Sequence, residues 1–384
     1  MKKITKEKIL IVNYEFPPLG GGGGVAAQQI SAELTNKYEV HYLTSGVPSQ
    51  KKLEIVDKII VHRVKITNRP DRSTASFVSM LTYIIKGIPI GLKLCKEHNV
   101  KYVWSWFAIP SGIVGDIICR LKRKPHNVTI IGGDIYDPSK KMSPHKHWYF
   151  RLVVNFILKH ANKITAISND TKNRYNYFYK KKIPIKVLPL GFIPFKFEKK
   201  TRQELGLKKD VFYFATVGRH VKRKGYPYLF KALALMKNEN TELFMIGDGP
   251  EEKDYKLLCK KLGVENRVHF LGYISEKEKF QYLNASNCYI LSSLHEGFGI
   301  VLQEAMYCNI PIVATNNGGQ TDFLKDRINA LLVPIKNTEK LSHAMDSITE
   351  NKNLRQRFIN HNKKLIKTFF IDKITEDYDK FFRG

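Results

Sequence analysis

HEGFGIVLQE, His295 to Glu304, is the stretch on which the fold turns. The apolar run Cys288 to Leu291 precedes it, and Ile300, Val301 and Leu302 follow Gly299. The pattern predicts a buried strand, a glycine turn and a helix starting near Gly299. Glu296 then sits in the turn, and Glu304 just over one helical turn in, at about 1.5 Å of rise per residue. The backbone N–H groups of Gly297, Phe298 and Gly299 would point out of the helix N-terminus, where they suit a phosphate or sugar oxygen. Two carboxylates beside such a cradle suit a ligand that carries both hydroxyls and phosphates. An ordinary strand–helix junction with surface glutamates reads the same way, so the neighbouring segments decide.

Working outward, two βα series appear. The first opens with a strand at Lys8–Asn13, a glycine loop and a helix near Val25–Thr35. Strand-like runs follow at Glu39–Leu43, Ile59–Val64, Val100–Trp104, Val128–Ile131, Lys163–Ala166 and Ile185–Leu188, with helices such as Pro110–Leu121 and Trp148–Lys159 between them. The second series opens with strand Val211–Val217 and a helix at Lys224–Met236. Strands Glu242–Ile246, Arg267–Leu271, Cys288–Leu291 and Pro311–Ala314 alternate with helices Glu251–Leu262 and Glu276–Asn284 and a short helix near Gln320–Leu324. Helical segments close the chain, the last at Asp372–Phe382. This alternation predicts an α/β protein with two doubly wound, Rossmann-like parallel-sheet domains. The Pro-, Lys- and Phe-rich stretch Pro189–Gln203 lacks periodicity and reads as the linker. The expected domains are 1–190, 191–370 and a terminal helix within 371–384. Ligands of such sheets bind beyond the carboxyl ends of the strands, and two sheets would face a central cleft.

Three further loops fall at strand ends. FPPLGGGGG, Phe16–Gly24, places glycines where a backbone must approach a ligand closely, although it matches neither a dinucleotide fingerprint nor a P-loop. VGRHVKRKG holds Gly218, Arg219, Lys224 and Gly225 after the second domain's first strand. Arg219 offers a fork and Lys224 a point charge, which together suit a diphosphate. A solvated basic loop is the plain alternative, since Lys222 and Arg223 are also charged. GDGP, Gly247–Pro250, and TNNGGQT, Thr315–Thr321, read as turns that shape the site, with Asp322 in a first helical turn. A nucleotide sugar is a ligand that fits all of these.

Composition sets the bounds. The chain has 384 residues, 43% hydrophobic, and a net charge of +29. The first 190 residues carry 32 Lys and Arg against 12 acidic residues, and the remainder 32 against 23, so the first half is the basic one. Anionic lipid, nucleic acid or a phosphorylated substrate are the partner classes this implies, and a Lys-rich genome is the alternative. Five scattered cysteines without metal spacing suggest reduced thiols and a cytoplasmic setting. The N-terminus shows no signal-peptide pattern. Phe77–Cys95 is the most membrane-like run, but Lys86, Pro89 and Lys93 interrupt it, and it reads as an amphipathic or packed helix ahead of a membrane-surface one.

These segments together resemble glycosyltransferase family 4, retaining enzymes of the two-domain GT-B fold. The resemblance rests on FPPLGGGG, GRHVKRKG, GDGPE, HEGFGIVLQEAM, PIVATNNGG and NALLVP, and spans nearly the whole chain. It implies a donor-binding second domain. Glu296 would contact the donor sugar and Glu304 the ribose, Arg219 and Lys224 would hold the diphosphate, and Glu296, Arg219 and Lys224 form the expected catalytic set. Gly21 and Gly22 would approach the donor from the first domain. Gly218, Gly297, Phe298 and Gly299 would line it, and the base would rest near Gly272 and Tyr273. Many members carry a His before a Gly-x-Asp run. Here Ile131 holds that position, Gly132 and Asp134 remain, and Asp134 is the acceptor-side candidate.

The expected reaction moves a hexosyl unit from a nucleotide diphosphate sugar, UDP-linked first, to a hydroxyl of a glycan or lipid-linked acceptor in surface polysaccharide or glycolipid synthesis. It calls for no metal and no further cofactor. Lys140–Arg151 (KKMSPHKHWYFR) and Arg174–Lys182 (RYNYFYKKK) mix cations with aromatics, which suits the headgroups of an anionic membrane and peripheral attachment to its inner face. A nucleotide-sugar epimerase of similar shape is the enzymatic rival. A basic nucleic-acid-binding protein is the other rival, but it would leave the glycine loops and the glutamate pair unused.

Overall fold

The computed structural model describes residues 6–69, 75–180 and 182–383. The first five residues, where the N-terminal reading begins, and Lys181 of the second basic and aromatic stretch lie outside that range. The chain divides into two compact units, residues 1–193 with 371–384, and residues 194–370.

In the first unit the elements run β1 (Glu7–Val12), α1 (Gly22–Leu34), β2 (Tyr38–Gly46), β3 (Leu53–Val56), β4 (Ile59–Lys65), α2 (Phe77–His98), β5 (Val103–Trp106), α3 (Ile113–Lys122), β6 (His126–Ile130), α4 (Trp148–His160), β7 (Lys163–Ala166), α5 (Asn169–Tyr179) and β8 (Lys186–Val187). The sheet order is β3-β4-β2-β1-β5-β6-β7-β8, and β3 alone runs antiparallel. Continuous apolar runs such as ILIV in β1 are buried on both faces, as a parallel sheet covered by helices requires. Leaving β3 aside, strands pair outward from β1 in both directions, so the winding reverses between β1 and β5.

α2 has the length and composition of a membrane-crossing helix. It nonetheless lays Tyr83, Leu94 and Cys95 on the core with Leu10, Leu43, Val64 and Ile118, while Phe77, Leu81 and Ile85 stay exposed.

The second unit runs β9 (Phe212–Val217), α6 (Tyr226–Ala234), β10 (Thr241–Ile246), α7 (Glu252–Lys261), β11 (Val268–Gly272), α8 (Glu276–Ala285), β12 (Cys288–Leu291), α9 (Ile300–Tyr307), β13 (Ile312–Thr315), β14 (Leu331–Val333), α10 (Thr338–Glu350) and α11 (Lys352–Leu365). Its six strands are all parallel in the order β11-β10-β9-β12-β13-β14. This is the doubly wound nucleotide-binding order, with its switch point between β9 and β12.

The last helix, α12 (Ile371–Arg383), belongs to the first unit. Its Tyr378 and Phe382 rings pack on Trp104, and Tyr378 Oη donates to the Leu188 carbonyl at 3.0 Å. Asp379, almost fully buried, accepts from Tyr38 Oη at 2.6 Å and from Lys37 Nζ at 2.9 Å.

Five elements depart from the sequence reading. β3, β14 and α5 were not expected: the first two are very short, and α5 is polar enough to hide its period. Lys224 does not begin a helix. It ends a 3-10 turn, Lys222–Lys224, and α6 starts at Tyr226 with Pro227 in its first turn, where a missing N–H costs nothing. The helix expected near Gln320–Leu324 is a 3-10 turn at Gly319–Asp322.

Candidate active site

The switch point of the second sheet is where its charges gather. The loop after β9 holds Gly218 to Gly225, and the loop after β12 holds Ser292 to Gly299. The two are sewn together: Leu294 N–H donates to the Arg223 carbonyl at 2.8 Å, and Ser292 Oγ to the Lys224 carbonyl at 2.9 Å. At Gly225, φ is +66° and a Cβ would stand 2.3 Å from the Ser292 carbonyl oxygen, so the turn that aims Lys224 admits only glycine. The loop after β13 joins them. Gly319 N–H donates to the Glu296 carbonyl at 2.8 Å, and Asn317 Nδ2 to the Leu294 carbonyl at 2.7 Å.

In that frame Lys224 Nζ donates to Glu296 Oε2 at 2.8 Å, both side chains nearly buried. Arg223 Nη1 lies 3.6 Å from the same oxygen and donates to the His295 carbonyl at 2.6 Å. Ser293 Oγ completes the set at 3.4 Å. Burial acts to raise the Glu296 pKa, but the Lys224 and Arg223 charges outweigh it and hold the carboxyl at about 2. Burial pulls the Lys224 ammonium below the usual lysine range, against the pull of Glu296. Arg223, to which the sequence reading gave no role in the site, is thus part of the cluster. No spacing rule marks it, because its role depends on the 3-10 turn.

Arg219 is half-buried and held by its flanks. Gly218 N–H donates to the Ile246 carbonyl at 2.9 Å and His220 N–H to the Asp248 carbonyl at 2.6 Å. A Cβ on Gly218 would stand 3.0 Å from Lys224 Cε, so this glycine makes room for the lysine stem.

Glu304 lies in the middle of α9, with Gly299 as its N-cap. Its Oε1 accepts from Lys279 Nζ at 2.8 Å, while its buried Oε2 has no hydrogen-bond partner among the described residues. Burial raises its pKa, opposed by Lys279. Lys279 comes from α8, and nothing in the sequence announced it. Gly272 ends β11, its carbonyl accepting from Gly247 N–H at 2.8 Å, and Tyr273 beyond it is exposed. The Phe298 side chain is core, packed on Phe323 and Phe369, which leaves only its backbone for a ligand.

In the first unit the glycine loop folds over a carboxylate. Glu15 Oε2 accepts from Gly21 N–H at 3.0 Å, and a Cβ on Gly20 or Gly24 would stand 2.6 or 2.8 Å from Glu15 Cβ. Burial raises the Glu15 pKa, opposed by the Gly21 N–H. Gly21 and Gly22 are exposed, and Gly21 has open space around it. Asp134 Oδ2 accepts from Ala108 N–H at 2.7 Å and Oδ1 from Ile131 N–H at 3.1 Å, which ties the loops after β5 and β6 together. Burial pushes its carboxyl up to about 6 against those donors. The Ile131 side chain lies where a Cβ on Gly23 would meet it, at 2.3 Å.

Of the two basic and aromatic stretches, the first presents a surface. Trp148, Leu152 and Phe156 stand exposed one turn apart along α4, with Lys140, Lys141 and Lys159 nearby in sequence. The second is divided: Tyr175 and Tyr179 are buried and Arg174 is paired with Asp170 at 2.9 Å, while Tyr177, Lys180 and Lys182 are exposed.

Known proteins agree with this architecture. The family described as Glycosyltransferase Family 4 matches residues 20–193, and the one described as Glycosyl transferases group 1 matches residues 197–365. An uncharacterized glycosyltransferase of Methanocaldococcus jannaschii is 25% identical over 375 residues, 93% of each chain. The lipopolysaccharide core biosynthesis glycosyltransferase LpsD of Rhizobium meliloti is 31% identical over 48% of this chain and 53% of its own. Among solved structures, sucrose-phosphate synthase from Thermosynechococcus elongatus superposes with a TM-score of 0.85 at 20% identity, over 98% of both chains. Anabaena HepE in complex with UDP-glucose superposes with a TM-score of 0.78 at 20% identity, over 98% of this chain and 99% of that one. Both likenesses are of fold.

Proposed function

This chain is a glycosyltransferase of family 4 with the GT-B fold, and from that premise we propose that it transfers a hexosyl unit with retention from a UDP-sugar to a hydroxyl of a glycan or lipid-linked acceptor. The observation that carries the reading is the buried Lys224–Glu296 pair at the switch point between β9 and β12, flanked by Arg223, with Arg219 in the same loop after β9. The hard step in transfer is departure of the nucleoside diphosphate while the anomeric carbon gains positive charge. Positive side chains fixed at a strand end stabilise the oxygen that leaves, and they do so without reorganising. Glu296, kept ionised, faces the sugar with a negative charge and a hydrogen-bond acceptor. Glu304 Oε2, buried and without a partner among the described residues, supports a role in accepting from a ribose hydroxyl. The mechanism assigns charge neutralisation to side chains and no step to a metal ion or further cofactor. The first unit takes the acceptor, with Asp134 shaping two of its loops rather than offering a free oxygen.

The Trp148–Leu152–Phe156 face with its lysines suits the headgroup region of an anionic bilayer, hence a cytoplasmic enzyme at the inner membrane face and a lipid-linked acceptor. The name of LpsD, which shares about half its length with this chain, supports a role in surface glycan assembly.

The test is incubation with a panel of UDP-hexoses and glycan or lipid-linked acceptors, with the new anomeric linkage read by proton NMR. Transfer with the donor's anomeric configuration is the expected result. Inverted product refutes retention, and conversion of donor alone to another sugar makes the chain an epimerase. Flotation with anionic and neutral liposomes checks the membrane face, and equal binding to both removes it.

A further inference from the structure

Three of the chain's twelve histidines meet at one place in the first unit, far along the strands from the glycine loop. His41 stands near the start of β2, two residues after Glu39 on the same face, and Glu39 pairs in register with Lys8 at the beginning of β1. The glycine loop follows the opposite end of β1. His62 on β4 lies diagonally across from His41, and His98 is the last residue of α2. His41 Nε2 is 3.0 Å from Glu39 Oε1, and its Nδ1 is 3.1 Å from His62 Nε2. The His98 ring stacks on His41 with centroids 4.0 Å apart. One ligand atom from each of Glu39, His41 and His98 falls within 4.8 Å of the others.

We propose that Glu39, His41 and His98 form a site for a borderline divalent transition metal ion, Zn²⁺ first, with His62 as the outer partner that fixes the His41 tautomer. Two imidazole nitrogens and one carboxylate oxygen are the donor set of zinc rather than of magnesium or calcium, and water fills the remaining position of a three-ligand tetrahedral site. The His62 contact supplies what a metal-bound histidine needs. With the ion bound, His41 Nδ1–H would donate to His62 Nε2 and turn the Nε2 lone pair to the cation between it and Glu39; in the metal-free form the Nε2–H donates to Glu39 instead. Neither ring nitrogen of His98 has a hydrogen-bond partner among the described residues, so its lone pair is available. Its ring turns out of the stack to reach the ion, a movement open to a half-buried residue at a helix end. Lys8 Nζ, 3.1 Å from Glu39 Oε1 and half-exposed, is the cation that now neutralises the carboxylate, and the metal displaces it. The ion would pin the end of α2 to β2. It takes no part in the transfer chemistry.

The test uses the full chain without a polyhistidine tag, stripped with chelator, titrated with Zn²⁺ by calorimetry and with Co²⁺ by visible absorption. One equivalent bound at micromolar concentration is expected, with the d–d bands of nitrogen-ligated Co²⁺ and a Zn²⁺-dependent rise in the thermal midpoint. His98→Ala and Glu39→Gln, both at half-buried positions, should weaken binding at least tenfold, and His62→Ala by roughly 10–100-fold. His41 is buried, so the test does not depend on removing it. Lys8→Ala should leave binding intact or tighten it, which separates a metal site from a salt-bridge cluster. No stoichiometric binding, or equal affinity in His98→Ala and Glu39→Gln, overturns the proposal whatever the transfer assays show.

Discussion

Lys224 Nζ and Glu296 Oε2 stand 2.8 Å apart, joined across two loops that leave neighbouring strands at the switch point of one sheet. The pair is nearly dry, so its two halves depend on each other. Lys224→Ala leaves a buried carboxylate with only Arg223 beside it and should cost up to about 3–5 kcal/mol of stability. Adding Glu296→Gln should return much of that stability but none of the activity. Arg219→Ala, outside the pair, should fold normally and lose roughly 10²–10³ in transfer rate. Thermal unfolding beside turnover of UDP-sugar for the three variants checks this. A double variant as active as wild type would remove the pair from the chemistry.

The same pair makes stability depend on pH. The folded Glu296 pKa of about 2 lies below its ordinary 4.5, so the contribution is fully present above about 4.5 and is lost as the pH falls through 2. The wild-type advantage over Glu296→Gln should therefore shrink by on the order of 3 kcal/mol between pH 5 and pH 2. Unfolding midpoints measured across that range give the slope. A constant gap would mean that Glu296 is not held ionised by its neighbours.

The sheets and the strand-end loops were legible because buried parallel strands write continuous apolar runs, as in ILIV of β1 and CYIL of β12, and because glycines mark where loops approach one another. The Glu296 turn and the Gly299 helix start could be read for that reason. Arg223, Lys279 and Glu15 could not. Each acquires its place through a contact the chain makes elsewhere: Arg223 with His295, Lys279 with a carboxylate 25 residues on, Glu15 with the N–H of Gly21. A local pattern carries periodicity and turn chemistry, and it says nothing of which charge meets which. The aromatics of Arg174–Lys182 divide between faces for a related reason: Tyr175 and Tyr179 meet the core and Tyr177 stands exposed, on a helix whose polar composition hides its inner face.

Glu304 is held by Lys279 through one oxygen only. If Oε2 receives a ribose hydroxyl, Glu304→Gln should raise the donor KM by roughly 10–100-fold, the worth of a hydrogen bond to a charged group, with little change in kcat. A deoxyribose donor should bind wild type and variant alike. Competition binding with UDP and its deoxy analogues separates this from a purely structural role, in which the variant weakens every ligand equally.

The last helix is fastened by Asp379, whose carboxylate accepts from Tyr38 and Lys37 and pairs with Arg383 at 3.0 Å. Burial acts to raise its pKa, but those donors outweigh it and hold the group low. Asp379→Ala strips the buried Tyr38 hydroxyl of its acceptor and should cost about 1–3 kcal/mol. The loss should be local, because α12 folds with the first unit while residues 194–370 form their own core. Hydrogen exchange should show faster exchange in α12 and the end of α1, with α6 and β10 unchanged. Uniform acceleration across both units would mean that they unfold as one and that α12 is no separate fastening.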